Sequence, residues 1–268
     1  MGSCDELTAD EKRIFDDQCC LCDRFVGKDD LVFSYPSAYG HLQFSYKPHA
    51  EYNDRANYVA KRIQEIMNFL IAVTGKCPTD YFGSRVVVRW IKDHREKGKE
   101  NWNSCRREGL PGHYVNLSWD YMLDVGKTEK DDEPITVCAH GLVHPFYAAS
   151  ELHTEEWPKN ECWGEGFCDF MRGPILSKLG RNGVERWQRS IKKARTRTGY
   201  SRYDTPASCF VMMFLEHCSL TDKDMDRAIK DIDALRSFVK GLFSDYSNQP
   251  LENTIKSVAT QHRFAFKG

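Results

Sequence analysis

Two histidines in the middle of the chain have the spacing of a metal-binding pair. His140 and His144 lie within the segment 135–152, whose apolar residues predict a helix. Residues four apart on a helix leave the same face one turn from each other, so both imidazoles can bind one metal ion. The sequence therefore predicts a metal site on this helix, which needs at least one further ligand.

Two acidic residues on the next apolar segment are candidates to complete that site. Glu165 stands in the Gly-Glu-Gly-Phe sequence at 164–167, inside a segment whose large apolar residues predict a second helix packed across the first. Asp169 follows four residues later on the same helical face. A carboxylate there can accept the N–H of a ligating histidine and fix its tautomer. We predict His140, His144 and Glu165 as the ligands and Asp169 as the residue that orients a histidine.

This order of motifs resembles that of the gluzincins, the zinc metallopeptidases whose ligands are two histidines and one glutamate. Within that group the layout is most similar to the basic secretory protein peptidases of plants and bacteria. The resemblance takes in the strand-like segment 85–91, the candidate edge strand 113–119 and the segment 203–217, which resembles a helix after the metal site in that family. It implies a zinc cofactor and a peptide or small-molecule substrate in the metal cleft.

The resemblance also implies a fold. That fold is α+β and zincin-like, with a small mixed sheet, an edge strand over the cleft and a helical C-terminal half. In the family the edge strand pairs with an extended peptide by strand addition, although an ordinary edge strand has the same sequence pattern. We expect this domain to span residues 46–268, after a cysteine-containing extension at 1–45.

The sequence departs from the gluzincin pattern at position 141, where it reads His-Gly-x-x-His in place of His-Glu-x-x-His. In the family that glutamate takes a proton from the metal-bound water, and a positioned base contributes roughly 10²- to 10⁴-fold in rate. A zinc ion alone would still lower the pKa of its water to about 7. Two functions are therefore predicted as alternatives. One is weak or altered metal-dependent hydrolysis, and the other is an inactive pseudopeptidase that binds peptides or proteins.

A proline four residues later offers another explanation of the glycine. Pro145 has no N–H to bond the carbonyl of Gly141, and glycine gives the backbone freedom to bend at that point. Gly141 would then be a hinge in the helix, and the two histidines would not keep regular helical geometry.

Four further side chains are candidates for the chemistry that Gly141 cannot perform. Glu151 and His153 lie near the end of the first predicted helix, where either could replace Glu165 as a ligand or serve as a base. Tyr200 or Tyr203 could stand over the metal and stabilise an oxyanion, as a phenol or imidazole does in gluzincins. The alternatives are a solvated helix end for the first two and packing for the tyrosines. Tyr203 and Glu151 are the predicted catalytic candidates.

Composition indicates a globular chain of 268 residues with a formal net charge of −1 at pH 7. A near-neutral balance gives no electrostatic case for binding nucleic acid or an anionic membrane surface. No apolar run is long enough to cross a membrane, and the first residues lack the features of a signal peptide. The sequence therefore predicts a cytoplasmic protein, although the family that it resembles is often secreted. The oligomeric state is left open.

The eleven cysteines are an odd number in a chain without a secretion signal. We therefore predict most of them to be buried small hydrophobes or free thiols. Cys19, Cys20 and Cys22 cluster in the N-terminal extension, where a soft-metal or redox role competes with a plain structural one.

Apolar periodicity predicts further helices around the candidate site. The helix at 184–197 carries a core-facing stripe formed by Val184, Trp187, Ile191 and Ala194. The other predicted helices lie at 53–73, 210–215 and 251–258, with an amphipathic segment at 222–243.

Overall fold

A computed structural model describes ten segments of the chain: residues 31–37, 40–46, 50–75, 86–91, 103–105, 113–118, 132–148, 161–196, 203–245 and 251–265. The chain divides into two compact units. The first comprises Met1–Glu65 and Cys77–Pro145, and the second comprises Ile66–Lys76 and Phe146–Gly268. Two helices run through the division between the units, α1 (Ala50–Thr74) and α2 (Asp132–Ala148). The predicted boundary at residue 45 stays a prediction.

The first unit contains two small sheets. Strands β1 (Leu31–Ser37) and β2 (Gly40–Tyr46) pair antiparallel, with Leu31 opposite Tyr46. A three-stranded sheet has the order β3-β5-β4 and is formed by Val86–Ile91, His113–Ser118 and Asn103–Cys105 respectively. Strand β5 runs parallel to β3 and antiparallel to β4. It is therefore the central strand of its sheet.

The described part of the second unit is mostly helical. Its helical segments after α2 are α3 (Glu161–Lys178), α4 (Gly183–Thr196), α5 (Asp204–His217), a 3₁₀ turn (Asp222–Asp224), α6 (Met225–Ala228), α7 (Ile232–Asp245) and α8 (Leu251–Gln261). The predicted helices at 53–73, 184–197 and 251–258 are confirmed by α1, α4 and α8. None of the described helices is both long enough and apolar enough to cross a lipid bilayer.

Helix α5 lies in the interior of the second unit, in contact with α3, α4, α7 and α8. All of its residues from Asp204 to Val211 are buried. Polar side chains in such a buried stretch need hydrogen-bond partners within the protein. Ser208 donates to the carbonyl of Asp204 at 2.6 Å, and Thr205 donates to the carbonyl of Ala265 at 3.0 Å.

An aromatic cluster joins these helices around Phe170 of α3. The Phe170 ring stacks on Trp187 of α4, with centroids 5.5 Å apart and planes 8° apart. Phe210 and Phe214 of α5 and Phe238 of α7 surround it at centroid distances between 5.8 and 6.1 Å. Each such pair is worth about 0.5–1.5 kcal/mol beyond the area that it buries. The cluster therefore fixes the mutual placement of α3, α4, α5 and α7.

The approach of α4 to α3 depends on two glycines. A Cβ atom on Gly173 would lie 2.3 Å from Nε1 of Trp187, and a Cβ atom on Gly183 would lie 2.0 Å from the carbonyl oxygen of Gly173. Both distances are far below van der Waals contact. Only glycine at these two positions lets the indole lie flat against α3.

The expected α+β, zincin-like fold with a sheet and a cleft-lining edge strand is wrong, because the described core is mostly helical. Every buried apolar side chain that the structure describes lies on a helix or in a turn next to one. Apolar residues recur at helical spacing within the described helices between 161 and 261, so these helices bury their apolar faces against one another without a sheet. The segment at 113–119, expected as an edge strand, forms β5, which is paired on both sides.

Candidate metal site

Helix α2 brings the two predicted histidines together. The Nε2 atoms of His140 and His144 lie 3.2 Å apart, and the ring centroids lie 5.0 Å apart in an edge-on arrangement. His140 is only 3% exposed, and His144 is half-buried. The prediction that both imidazoles leave one face of a helix is confirmed.

The distance between the two Nε2 atoms suits two arrangements. In the first, one Nε2–H donates a hydrogen bond to the other Nε2, which requires opposite tautomers of the two rings. In the second, both nitrogens bind one metal ion. Zinc lies about 2.0–2.1 Å from each histidine nitrogen in a tetrahedral site, which places two such nitrogens roughly 3.3 Å apart. The observed 3.2 Å is within 0.2 Å of that value.

Gly141 does not interrupt the helix that carries the pair. Helix α2 is continuous from Asp132 to Ala148 and therefore passes through both Gly141 and Pro145. The two histidines therefore keep helical geometry, and the predicted bend at Gly141 stays a prediction. Gly141 itself is buried and has no side chain that could accept a proton.

Helix α3, in the second unit, carries the predicted acidic residues and a cysteine between them. Glu165 is half-buried, whereas Cys168 and Asp169 are 0% and 3% exposed. Their spacing of three and four residues places all three on one side of the helix. Burial raises the pKa of the Cys168 thiol well above its usual value, and the negative charges of Glu165 and Asp169 raise it further. In the absence of a metal ion this thiol is therefore protonated at neutral pH.

Asp169 binds two arginines that sequence analysis did not single out. Its Oδ1 accepts a hydrogen bond from Nη1 of Arg172 at 2.7 Å, and its Oδ2 accepts one from Nη2 of Arg186 at 2.9 Å. The side chains of Arg172 and Arg186 are 8% and 15% exposed. The three residues form a buried ion triad that ties α3 to α4. The predicted role of Asp169 in orienting a histidine stays a prediction.

The Gly-Glu-Gly-Phe sequence has a packing function in the structure. A Cβ atom on Gly166 would lie 2.4 Å from Cβ of Pro206 and 3.0 Å from the backbone nitrogen of Ala207. Glycine at 166 is therefore required for α3 to approach the first turn of α5. Phe167 is fully buried, and its ring meets that of Tyr147 at a centroid distance of 5.4 Å. These contacts explain the glycine and the phenylalanine without reference to a metal ion.

The other predicted site residues are not all within the described part of the chain. Tyr203 immediately precedes α5, where its carbonyl accepts the backbone N–H of Ala207 at 3.1 Å. Its side chain is half-buried. Glu151, His153 and Tyr200 lie outside the described residues, so their predicted roles stay predictions.

The four cysteines whose side chains the structure describes are free thiols, as predicted for most of the cysteines. Cys138, Cys168 and Cys209 are buried, and Cys218 is partly exposed. Burial raises the pKa of both Cys138 and Cys209 to about 12. The cluster of Cys19, Cys20 and Cys22 lies outside the described residues.

The chain matches no protein-family model, no curated protein sequence and no solved structure. The observations that bear on function are the paired imidazoles of α2 and the acidic and thiol side chains of α3.

Proposed function

We propose that this protein binds a transition metal ion, most suitably zinc, through His140 and His144 with a third ligand from α3. The separation of 3.2 Å between the two Nε2 atoms carries the proposal, because it is close to the spacing of two nitrogens on one tetrahedral zinc ion. Imidazole ligands suit zinc, and also copper, iron and nickel. The burial of His140 supports the proposal as well, since the ring nitrogens of a buried imidazole must be bonded, either to a hydrogen-bond partner or to a metal ion.

Two residues of α3 are candidates for the third ligand. Glu165 is the one predicted from the sequence. Cys168, three residues later on the same helix, is the other candidate, because a thiolate is a type of side chain that can hold a metal ion together with two imidazoles. The last turn of α2 belongs to the second unit, where Tyr147 packs on Phe167, the neighbour of Cys168. Thiolate and imidazole are both preferred zinc ligands.

The chemistry that we propose for this site is metal binding with weak hydrolysis of a peptide or small-molecule substrate. A bound zinc ion would supply an acidified water molecule and polarise a substrate carbonyl. The chain offers no side chain at position 141 to take the proton from that water. A second candidate function, peptide or protein binding without turnover, is favoured by this same absence of a base at Gly141.

Cobalt(II) titration of the metal-free protein tests the proposal. We expect one cobalt ion to bind, with the intense visible absorption of a tetrahedral site, and we expect His140→Ala to abolish that absorption because one imidazole cannot hold the ion alone. The titration uses a chain in which Cys19, Cys20 and Cys22 are serine, so that their thiols do not contribute. Absence of His140-dependent cobalt binding would overturn the proposal.

The same spectra identify the third ligand. A thiolate on cobalt adds a charge-transfer band in the near ultraviolet, so Cys168→Ser would remove that band if Cys168 is the ligand. Glu165→Gln would instead change the visible bands and the affinity if the carboxylate is the ligand. Cys209→Ser is the matched control, because Cys209 is an equally buried free thiol on a different helix.

We expect Gly141→Glu to raise the rate of chelator-sensitive peptide hydrolysis by roughly 10²- to 10⁴-fold, the contribution of a positioned general base. The measurement is cleavage of a quenched fluorescent casein, with and without a metal chelator, by the natural chain and the variant. Gly141→Gln is the control, since it adds a side chain of the same size that cannot take the proton. Equal rates for the two variants, or efficient chelator-sensitive cleavage by the natural chain, would contradict the proposed role of position 141.

A further inference from the structure

A groove of about 410 Å³ opens on the surface of the second unit. Helix α4 supplies Ile191, Lys192 and Arg195, the 3₁₀ turn after α5 supplies Asp222, and Met225 is the first residue of α6. Ile191 and Met225 are 5% and 4% exposed, so they form an apolar floor, whereas the charged side chains are at the rim. The volume is within the range of about 300–1,000 Å³ that is typical of small-molecule sites.

The two cations at the rim differ from the other cations of α4. Arg186 pairs with Asp169, Arg189 with Glu185, and Lys193 with Asp204. Lys192 and Arg195 form no salt bridge with any described residue. They are three residues apart and therefore lie on the same face of the helix.

The position of Arg195 is also restrained. Its guanidinium lies over the ring of Phe264, 5.9 Å from the ring centroid, and Phe264 is itself buried. A cation held against an aromatic ring loses less side-chain entropy when it binds a ligand. Arg195 is therefore better prepared to bind an anion than a lysine or arginine that extends freely into water.

We propose that this groove binds a small organic monocarboxylate with an apolar body. Lys192 and Arg195 bind the carboxylate, and the apolar body lies on Ile191 and Met225. Asp222 adds one negative charge to the rim, which disfavours ligands with several negative charges and leaves a single carboxylate as the best match. The inference is independent of the metal site, since none of the groove residues is a proposed ligand.

Naphthoate and naphthamide are a matched pair of probes for this groove, because they share one apolar body and differ in charge. Binding is followed by isothermal titration and by NMR of protein labelled with ¹³C at the methionine methyl groups, with Met225 assigned through Met225→Leu. We expect naphthoate to shift the Met225 methyl signal and to bind more tightly than naphthamide.

The double variant Lys192→Gln/Arg195→Gln removes both cations. We expect it to bind naphthoate about tenfold more weakly, since two partly exposed ion pairs together contribute on the order of 1.4 kcal/mol. Its affinity for naphthamide should be unchanged. Arg189→Gln is the control, because Arg189 is an exposed cation of the same helix that does not line the groove. An unshifted Met225 signal at saturating naphthoate, or equal naphthoate affinity in the double variant and the natural chain, would overturn the proposal.

Discussion

Trp187→Ala is expected to lower the free energy of unfolding by about 3–5 kcal/mol, the range typical of removing a large aromatic side chain from a core. The indole is 1% exposed and stacks on Phe170. Its Nε1–H also donates a hydrogen bond to the carbonyl of Phe170 at 2.8 Å. The variant loses the ring contacts and the hydrogen bond, and it leaves a cavity next to Gly173. Because whole domains are stable by only about 5–15 kcal/mol, this is a large fraction of the total.

Urea unfolding followed by far-ultraviolet circular dichroism measures this effect without relying on tryptophan fluorescence. Trp187→Phe separates its parts, since it keeps an aromatic ring next to Phe170 but removes the N–H donor. We expect that variant to lose only about 1–2 kcal/mol. Lys192→Ala is the control on an exposed position of the same helix and should stay within about 0.5 kcal/mol of the natural chain. If Trp187→Ala were as stable as Lys192→Ala, the aromatic cluster would not hold α3 and α4 together.

Several helices could be predicted because they show an apolar face in the local sequence. The segment predicted at 184–197 forms α4. Three of its four predicted core residues, Trp187, Ile191 and Ala194, are buried, and the fourth, Val184, is half-buried. The amphipathic segment at 222–243 is instead divided by a turn before α7. The signal for that turn was present, since Asp231 accepts the backbone N–H of Ala234 at 2.9 Å, the usual contact of an N-cap aspartate.

The arrangement of the strands could not be predicted in the same way. The alternating pattern at 113–119 fits an edge strand and a paired strand equally well, because alternation reports only which residues share a face. Whether neighbours cover both edges is decided by segments distant in the sequence, here Val86–Ile91 and Asn103–Cys105. The expectation of an open edge strand came from the family resemblance, and the pairing of β5 on both sides contradicts it.

At the candidate site, the spacing of residues within one helix could be used for prediction, whereas contacts between different helices could not be predicted from the sequence. Four-residue spacing was sufficient to predict that His140 and His144 face the same way. The partners of Asp169 were harder to predict, since Arg186 lies on another helix and no periodicity links the two positions. The need for glycine at position 166 was equally hard to predict, because it arises from close contact with Pro206 on another helix.

Asp169→Ala is expected to destabilise the metal-free protein by about 3–5 kcal/mol, because it leaves two guanidinium groups in the core without their shared carboxylate. Arg172 and Arg186 both lose a charge-assisted hydrogen bond, and neither side chain is more than 15% exposed. Asp169→Asn keeps the size of the side chain but removes its charge, so it should recover only a small part of that loss. Urea unfolding of the metal-free protein measures both variants.

The same variants distinguish the contribution of the ion triad to stability from the contribution that we predict for Asp169 to metal affinity. An aspartate that orients a ligating histidine typically contributes about 10- to 100-fold to metal affinity, so Asp169→Asn would weaken cobalt binding by that factor under conditions where the protein is folded. Arg186→Met disrupts the triad but keeps the carboxylate, and it should lower stability without changing cobalt affinity. If Asp169→Ala lost less than 0.5 kcal/mol in the metal-free protein, the triad would not stabilise the fold. If Asp169→Asn bound cobalt as tightly as the natural chain, Asp169 would act in the triad alone, and the histidines would take their orientation from α2 itself.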